Sequence, residues 1–111
     1  MAVTPTRLCS TYLPGTIVAL YTVPTGVVTR IDAMALTNPG GTALTVSIHL
    51  VAAGASADNS NVILSSYTLA PGETRRVTSA IGQVLRAGGT VQGVCSTANA
   101  VNIYASGVEI A

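Results

Sequence analysis

The chain has 111 residues, a formal net charge of +1 and only 8% charged side chains, with no Lys among them. An average soluble domain carries about a quarter charged residues. With no basic stripe to neutralise phosphates and no polybasic patch, the composition argues against a nucleic-acid partner and against electrostatic docking on a membrane.

Fourteen Val and fifteen Thr, with no Phe and no Trp, set a β-branched bias that favours pleated sheet over helix. The core must be built from Val, Ile, Leu and Ala, with four Tyr as the only aromatics. Met1 to Leu13 reads as irregular, part of an extended N-terminal arm (1–14) marked by Pro5 and Pro14. It has no apolar stretch of the secretory kind. Residues 15–111 read as one β-sandwich domain. Thr16 to Val23 is apolar on both faces, like a covered strand, and is far too short to span a membrane. Pro24-Thr25-Gly26 is a turn. In Val27 to Thr37, strict alternation puts Ile31, Ala33, Ala35 and Thr37 on one face and Val28, Arg30, Asp32, Met34 and Leu36 on the other.

Asn38-Pro39-Gly40-Gly41 is a strong turn signal. Thr42 to Val51 is the cleanest strand, with Leu44, Val46, Ile48 and Leu50 at a period of two. Ala52 to Asn61 is a polar loop of small residues. Val62 to Leu69 and the strand from Thr74 flank the turn Ala70-Pro71-Gly72-Glu73. Ser79 to Leu85 fits a single helical turn or an irregular strand equally well. Thr90 to Ser96 and Val101 to Ile110 complete the chain. No segment carries an apolar stripe at helical spacing. About eight short strands separated by regular turn signals predict an all-β protein, an antiparallel β-sandwich of jelly-roll or immunoglobulin-like topology.

No constellation of catalytic or ligating residues stands out, so the expectation is a protein that is not an enzyme and needs no cofactor and no metal. His49 is the only histidine; Ser47 and Thr45 share its face, but no nucleophile elbow accompanies them. Asp32, Asp58, Glu73 and Glu109 are not paired by spacing. The stretch Asp58-Asn59-Ser60-Asn61 lacks the Gly and bidentate Glu of a calcium loop. Cys9 and Cys95 are too few for a disulfide framework or a zinc site and are expected as free buried thiols. The candidate interface residues are Arg75 and Arg76, adjacent on one strand and hence on opposite faces. One of the two is expected to face solvent or a neighbouring subunit, and the other to lie at the strand end or to pair with a carboxylate, Glu73 or Glu109. Tyr12 and Leu13, at the end of the arm, are the competing location.

Leu20-Tyr21-Thr22-Val23-Pro24-Thr25-Gly26, then Leu44 to Leu50, then Tyr67-Thr68-Leu69-Ala70-Pro71-Gly72-Glu73-Thr74, then Ser106-Gly107-Val108-Glu109-Ile110 form an ordered pattern. It resembles small β-sandwich virion proteins of tailed bacteriophages, of the capsid decoration (cement) or neck and tail accessory type. The resemblance runs over residues 16–110 and implies no catalytic residues. It implies a structural subunit located in the virion and assembled in the host cytoplasm. Its partners would be other virion proteins, the major capsid protein or neck and tail components, and it would form a homo-oligomer such as a trimer. A surface this poor in charge fits a subunit covered by neighbours. The alternative of a carbohydrate-binding module would need an aromatic platform or a calcium site, and the absence of Trp and Phe counts against it.

Overall fold

The β-branched bias is expressed as nine strands in the computed structural model, which describes residues 2–111. They are β1 (Val3–Tyr12), β2 (Val18–Thr22), β3 (Val28–Thr37), β4 (Leu44–Val51), β5 (Val62–Leu69), β6 (Thr74–Arg76), β7 (Val84–Leu85), β8 (Thr90–Cys95) and β9 (Asn102–Ile110). The only helical element among the described residues is a 3-10 turn at Thr78–Ala80. Both readings of Ser79 to Leu85 are therefore realised, the turn first and a short strand after it.

One sheet runs β1-β9-β3-β6, with β7 also on β3; the other runs β2-β8-β4-β5. Every pairing is antiparallel. β6 pairs with the end of β3 at Ala35–Thr37 and β7 with its start at Thr29 and Arg30, so the two form one interrupted edge strand. The pairs β1–β9, β2–β8, β3–β6/β7 and β4–β5 nest around the loop between β4 and β5 and alternate between the sheets. A long hairpin rolled over itself in this way is a jelly roll. The two topologies left open by the strand pattern are thereby separated, because an immunoglobulin-like chain does not pair its first strand with its last in this nested way.

The core lies between the sheets. Leu13, Ile31, Leu36, Ile48, Leu69 and Ile103 are its largest fully buried side chains. Each contributes roughly 1.5–3 kcal/mol by leaving water.

The segment expected as an irregular arm is the long edge strand β1, paired with β9 from Val3↔Ile110 to Tyr12↔Asn102. Pro5 is tolerated there because one side of an edge strand needs no backbone donor. Leu13 is a correction as well. It is fully buried, its N–H donates to the Val101 carbonyl at 2.8 Å, and its carbonyl accepts from Asn99 N at 3.0 Å. It plugs one end of the chain's own core and offers nothing to a partner.

The faces of β3 also differ from strict alternation. A bulge between Ile31 and Ala33 shifts the register. Ile31 faces the core before it; Met34 and Leu36 face the core after it. Residues assigned to opposite faces thus share one, since an extra residue inverts the period beyond it. β1 bulges at the same level, between Arg7 and Cys9, so Leu8 and Cys9 are both buried. β4 keeps the predicted period: Val46 and Ile48 are fully buried, with Leu44 and Leu50 packed beside them.

Candidate interaction surface

β6 carries the two arginines on a sheet edge, both exposed. Neither forms an ion pair; the one ion pair among the described residues is Arg30 Nε to Asp32 Oδ1 at 2.9 Å. The expected partners are otherwise engaged. Glu73 accepts from the Tyr67 hydroxyl and from Ala70 N, and Glu109 accepts from the Tyr21 hydroxyl at 2.6 Å. Arg75 lies over the Tyr67 ring, 5.0 Å from its centroid, a cation–π arrangement worth about 0.5–1 kcal/mol at an exposed site.

The Pro71-Gly72 turn builds this corner. Gly72 has φ +75 and Glu73 N donates to the Ala70 carbonyl at 3.0 Å, the geometry of a type II turn that requires Gly at its third position. The turn brings Glu73 back to the Tyr67 hydroxyl. That hydrogen bond, followed by the Ala70 N–H, holds the Glu73 carboxyl below the usual range, while the Tyr67 phenol is pushed up mainly by the same bond.

His49 lies beside the loop at the hairpin tip. Its Nδ1 is 2.8 Å from Asn61 Oδ1, which also accepts from Asp58 N, and Asn61 Nδ2 donates to the Ser56 carbonyl. Because Oδ1 is an acceptor, Nδ1 carries the proton. Asp58 accepts from the Ser60 hydroxyl and backbone N–H, and these bonds lower its pKa. The histidine is thus a fastener for the loop. Among the described residues, no three His, Cys, Asp or Glu side chains come together.

Both depressed carboxyls, Asp58 and Glu73, have the same sign of linkage. Each favours the folded state above its unfolded pKa, and the contribution is lost as pH falls through the folded value. We expect thermal stability, followed by circular dichroism, to decline between about pH 5 and pH 3. Tyr67→Phe removes the principal donor to Glu73 and should flatten that decline; an unchanged slope would show that this bond does not couple to folding.

Cys9 and Cys95 are free and buried, on β1 and β8 in different sheets. Burial pushes the Cys9 thiol up to about 11, which leaves almost no thiolate at neutral pH. Tyr21 crosses between the sheets, its hydroxyl 2.8 Å from buried Thr29 Oγ1 as well as bonded to Glu109; desolvation raises its pKa first and the Glu109 bond second.

The outer face of the β1-β9-β3-β6 sheet is the most distinctive surface. Register aligns Ser10, Tyr104, Ala35 and Arg76 in one row and Tyr12, Asn102, Thr37 and Thr74 in the next. Arg76 is the only charge in the two rows. Tyr12 and Tyr104 are each 52% exposed. Three hollows open along this side. One of about 310 Å³ lies at Asp32, Ala33, Ala35, Arg76 and exposed Ile81. A second, of about 360 Å³, is lined by Ser10, Thr11, Tyr12, Asn102 and Tyr104. A third, of about 460 Å³, runs from Tyr12 over the loops that carry Asn38 to Thr42 and Thr97 to Ala100.

Of the candidate interface residues, Arg75, Arg76 and Tyr12 are therefore on the surface and Leu13 is not. Arg76 and Tyr12 share the outer face at opposite edges of the sheet; Arg75 belongs to the Tyr67 corner. Tyr104 and Asn102 were not singled out by the sequence. Their period-two spacing was visible, but their pairing with β1 depends on a strand the sequence left irregular.

No protein-family model matches the chain, and no curated protein and no solved structure matches it either.

Proposed function

We propose that the chain is a non-enzymatic structural subunit of a tailed-phage virion, a decoration protein that binds and stabilises the capsid surface as a symmetric oligomer. The observation that carries the assembly part of this reading is the β6 and β7 edge of the sheet, where Ile81 and Val84 are exposed and a hollow at Ala33 and Ala35 is rimmed by Asp32, Arg76 and Ile81. Surfaces with few charges and exposed aliphatic groups favour association. A stable interface removes about 800 Å² from each partner, a modest share of the 5639 Å² this chain exposes. The placement in a virion rests on the ordered motifs from Leu20 to Ile110, together with a jelly-roll topology of the kind used in viral capsids.

Size-exclusion chromatography with light scattering tests the assembly. The expected result is a discrete oligomer that Ile81→Asp and Arg76→Glu convert towards monomer without loss of fold, since both side chains are exposed. Mass spectrometry of purified virions tests the placement, with hundreds of copies expected for decoration and about a dozen for a neck or collar component. A clean monomer that binds no capsid or tail component would defeat the proposal.

A further inference from the structure

We propose that the hollow between Tyr12 and Tyr104 on β1 and β9, continued past Tyr12 into the loop cleft, is a binding groove for a neutral oligosaccharide. This is independent of the assembly reading, which concerns the far edge of the same sheet at β6 and β7.

Four observations converge. First, the two tyrosines sit on adjacent strands. Ser10 is opposite Tyr104 and Tyr12 is opposite Asn102, so the rings are diagonal neighbours on one face with polar side chains between them. Both rings are half-exposed in a chain with only four aromatics. An aromatic face is electron-rich and receives the partly positive C–H groups of a pyranose ring.

Second, no charged side chain lines either cavity. The polar groups are the hydroxyls of Ser10, Thr11, Thr42 and Thr97 and the amides of Asn99 and Asn102. A phosphate, a carboxylate or a cationic peptide finds no counter-charge here, whereas a neutral polyol matches hydroxyls and amides that both donate and accept.

Third, Asn102 Oδ1 is buried and no donor among the described residues reaches it. An acceptor in that condition costs roughly 1–3 kcal/mol. Asn102 lines the hollow, so a half-turn of its amide exchanges oxygen and nitrogen and turns the oxygen towards a sugar hydroxyl that donates to it. An apolar partner offers no such donor.

Fourth, the walls are already in place. Asn38 is fully buried beneath the loop cleft and hydrogen-bonded within its own loop to Gly40 and Thr42 and across to Leu69 at the end of β5, and Asn99 holds its turn with φ 61 and an N–H bonded to the Leu13 carbonyl. A preformed groove avoids the ordering cost that weakens binding by loops.

The test is saturation-transfer NMR and calorimetry on the intact chain. The probes are neutral gluco-, galacto- and manno-oligosaccharides of several units. Dissociation constants of order 1 mM or tighter are expected for at least one series. Tyr12→Ala and Tyr104→Ala should each weaken binding at least about ten-fold, while Tyr104→Phe, which keeps the ring, should stay within about three-fold. Circular dichroism of each variant confirms the fold. No detectable binding by any series at about 10 mM sugar, or binding that survives both alanine variants, overturns the proposal. Light scattering on the same samples reads the assembly separately, so failure here leaves that reading untouched.

Discussion

Gly107→Ala should destabilise the protein by upward of about 4 kcal/mol, in the range reserved for substitutions that break a structural device rather than a single contact. A Cβ placed on Gly107 would stand 2.0 Å from the Arg30 carbonyl oxygen and 3.2 Å from Ile31 Cα. Both obstacles are backbone, so no side chain can swing aside. The strands β3 and β9 would have to part where they hydrogen-bond, and β9 is the strand that joins β1 to β3. A domain of this size has only about 5–15 kcal/mol to lose. The expected outcome is a variant that fails to accumulate folded, or that melts at least about 15 °C below the parent. A melting temperature within a few degrees of the parent would refute the close approach.

Gly93→Ala provides the contrast. Its Cβ would meet Leu13 Cδ2 at 2.9 Å, Ile48 Cδ1 at 3.0 Å and Leu20 Cδ1 at 3.1 Å, all ends of flexible side chains. Overpacking of that kind costs about 1–3 kcal/mol. The two glycines look alike in the sequence, each inside a strand-like run. Only register separates them. Gly107 pairs with Ile31 at the start of the β3 bulge (Ile31 to Ala33) and with Thr6 on β1, one pair before the β1 bulge between Arg7 and Cys9.

Those bulges also mark where the residues stop disclosing the fold. Leu44 to Leu50 and the Pro71-Gly72 turn are legible because a period of two and a Gly demanded by φ are local properties. An extra residue in one strand is not local; it is defined against a partner, and Asp32 carries no mark of being that residue. β1 was unreadable for a related reason. Pro5 and a run of exposed polar residues look like an arm unless the β9 edge that receives them is known. Once that edge is placed, Tyr12 stays on the surface, Leu13 moves to the core, and Asn102 and Tyr104 become neighbours of Ser10 and Tyr12. The candidate groove is thus a product of pairing between the two ends of the chain, and no window of consecutive residues contains it.

Asn38→Ala should lower stability by about 3 kcal/mol, or roughly 10–15 °C in melting temperature, although the residue sits in what reads as a surface turn. It is one of two fully buried polar residues among those described. Its Nδ2 donates to the Thr42 carbonyl at 2.8 Å and to the Leu69 carbonyl at 3.1 Å, and its Oδ1 accepts from Gly40 N at 3.1 Å. The side chain therefore closes the β3–β4 turn on itself and ties it to the end of β5. Alanine leaves two carbonyls and an amide without partners, each worth about 1 kcal/mol net and more where water cannot enter. Asn38→Asp separates shape from chemistry. The volume is kept, but a carboxylate offers no donor and faces two carbonyl oxygens, so burial and repulsion raise its folded pKa. A group with a raised folded pKa is least harmful below its unfolded value and most harmful once pH passes the folded one. The gap in melting temperature between parent and Asn38→Asp should accordingly be wider at pH 7 than at about pH 4. A gap independent of pH would mean that the buried amide acts through packing alone. Because Asn38 also underlies the loop cleft beside Tyr12, Asn38→Ala should weaken any ligand held in that cleft even at temperatures where the fold survives.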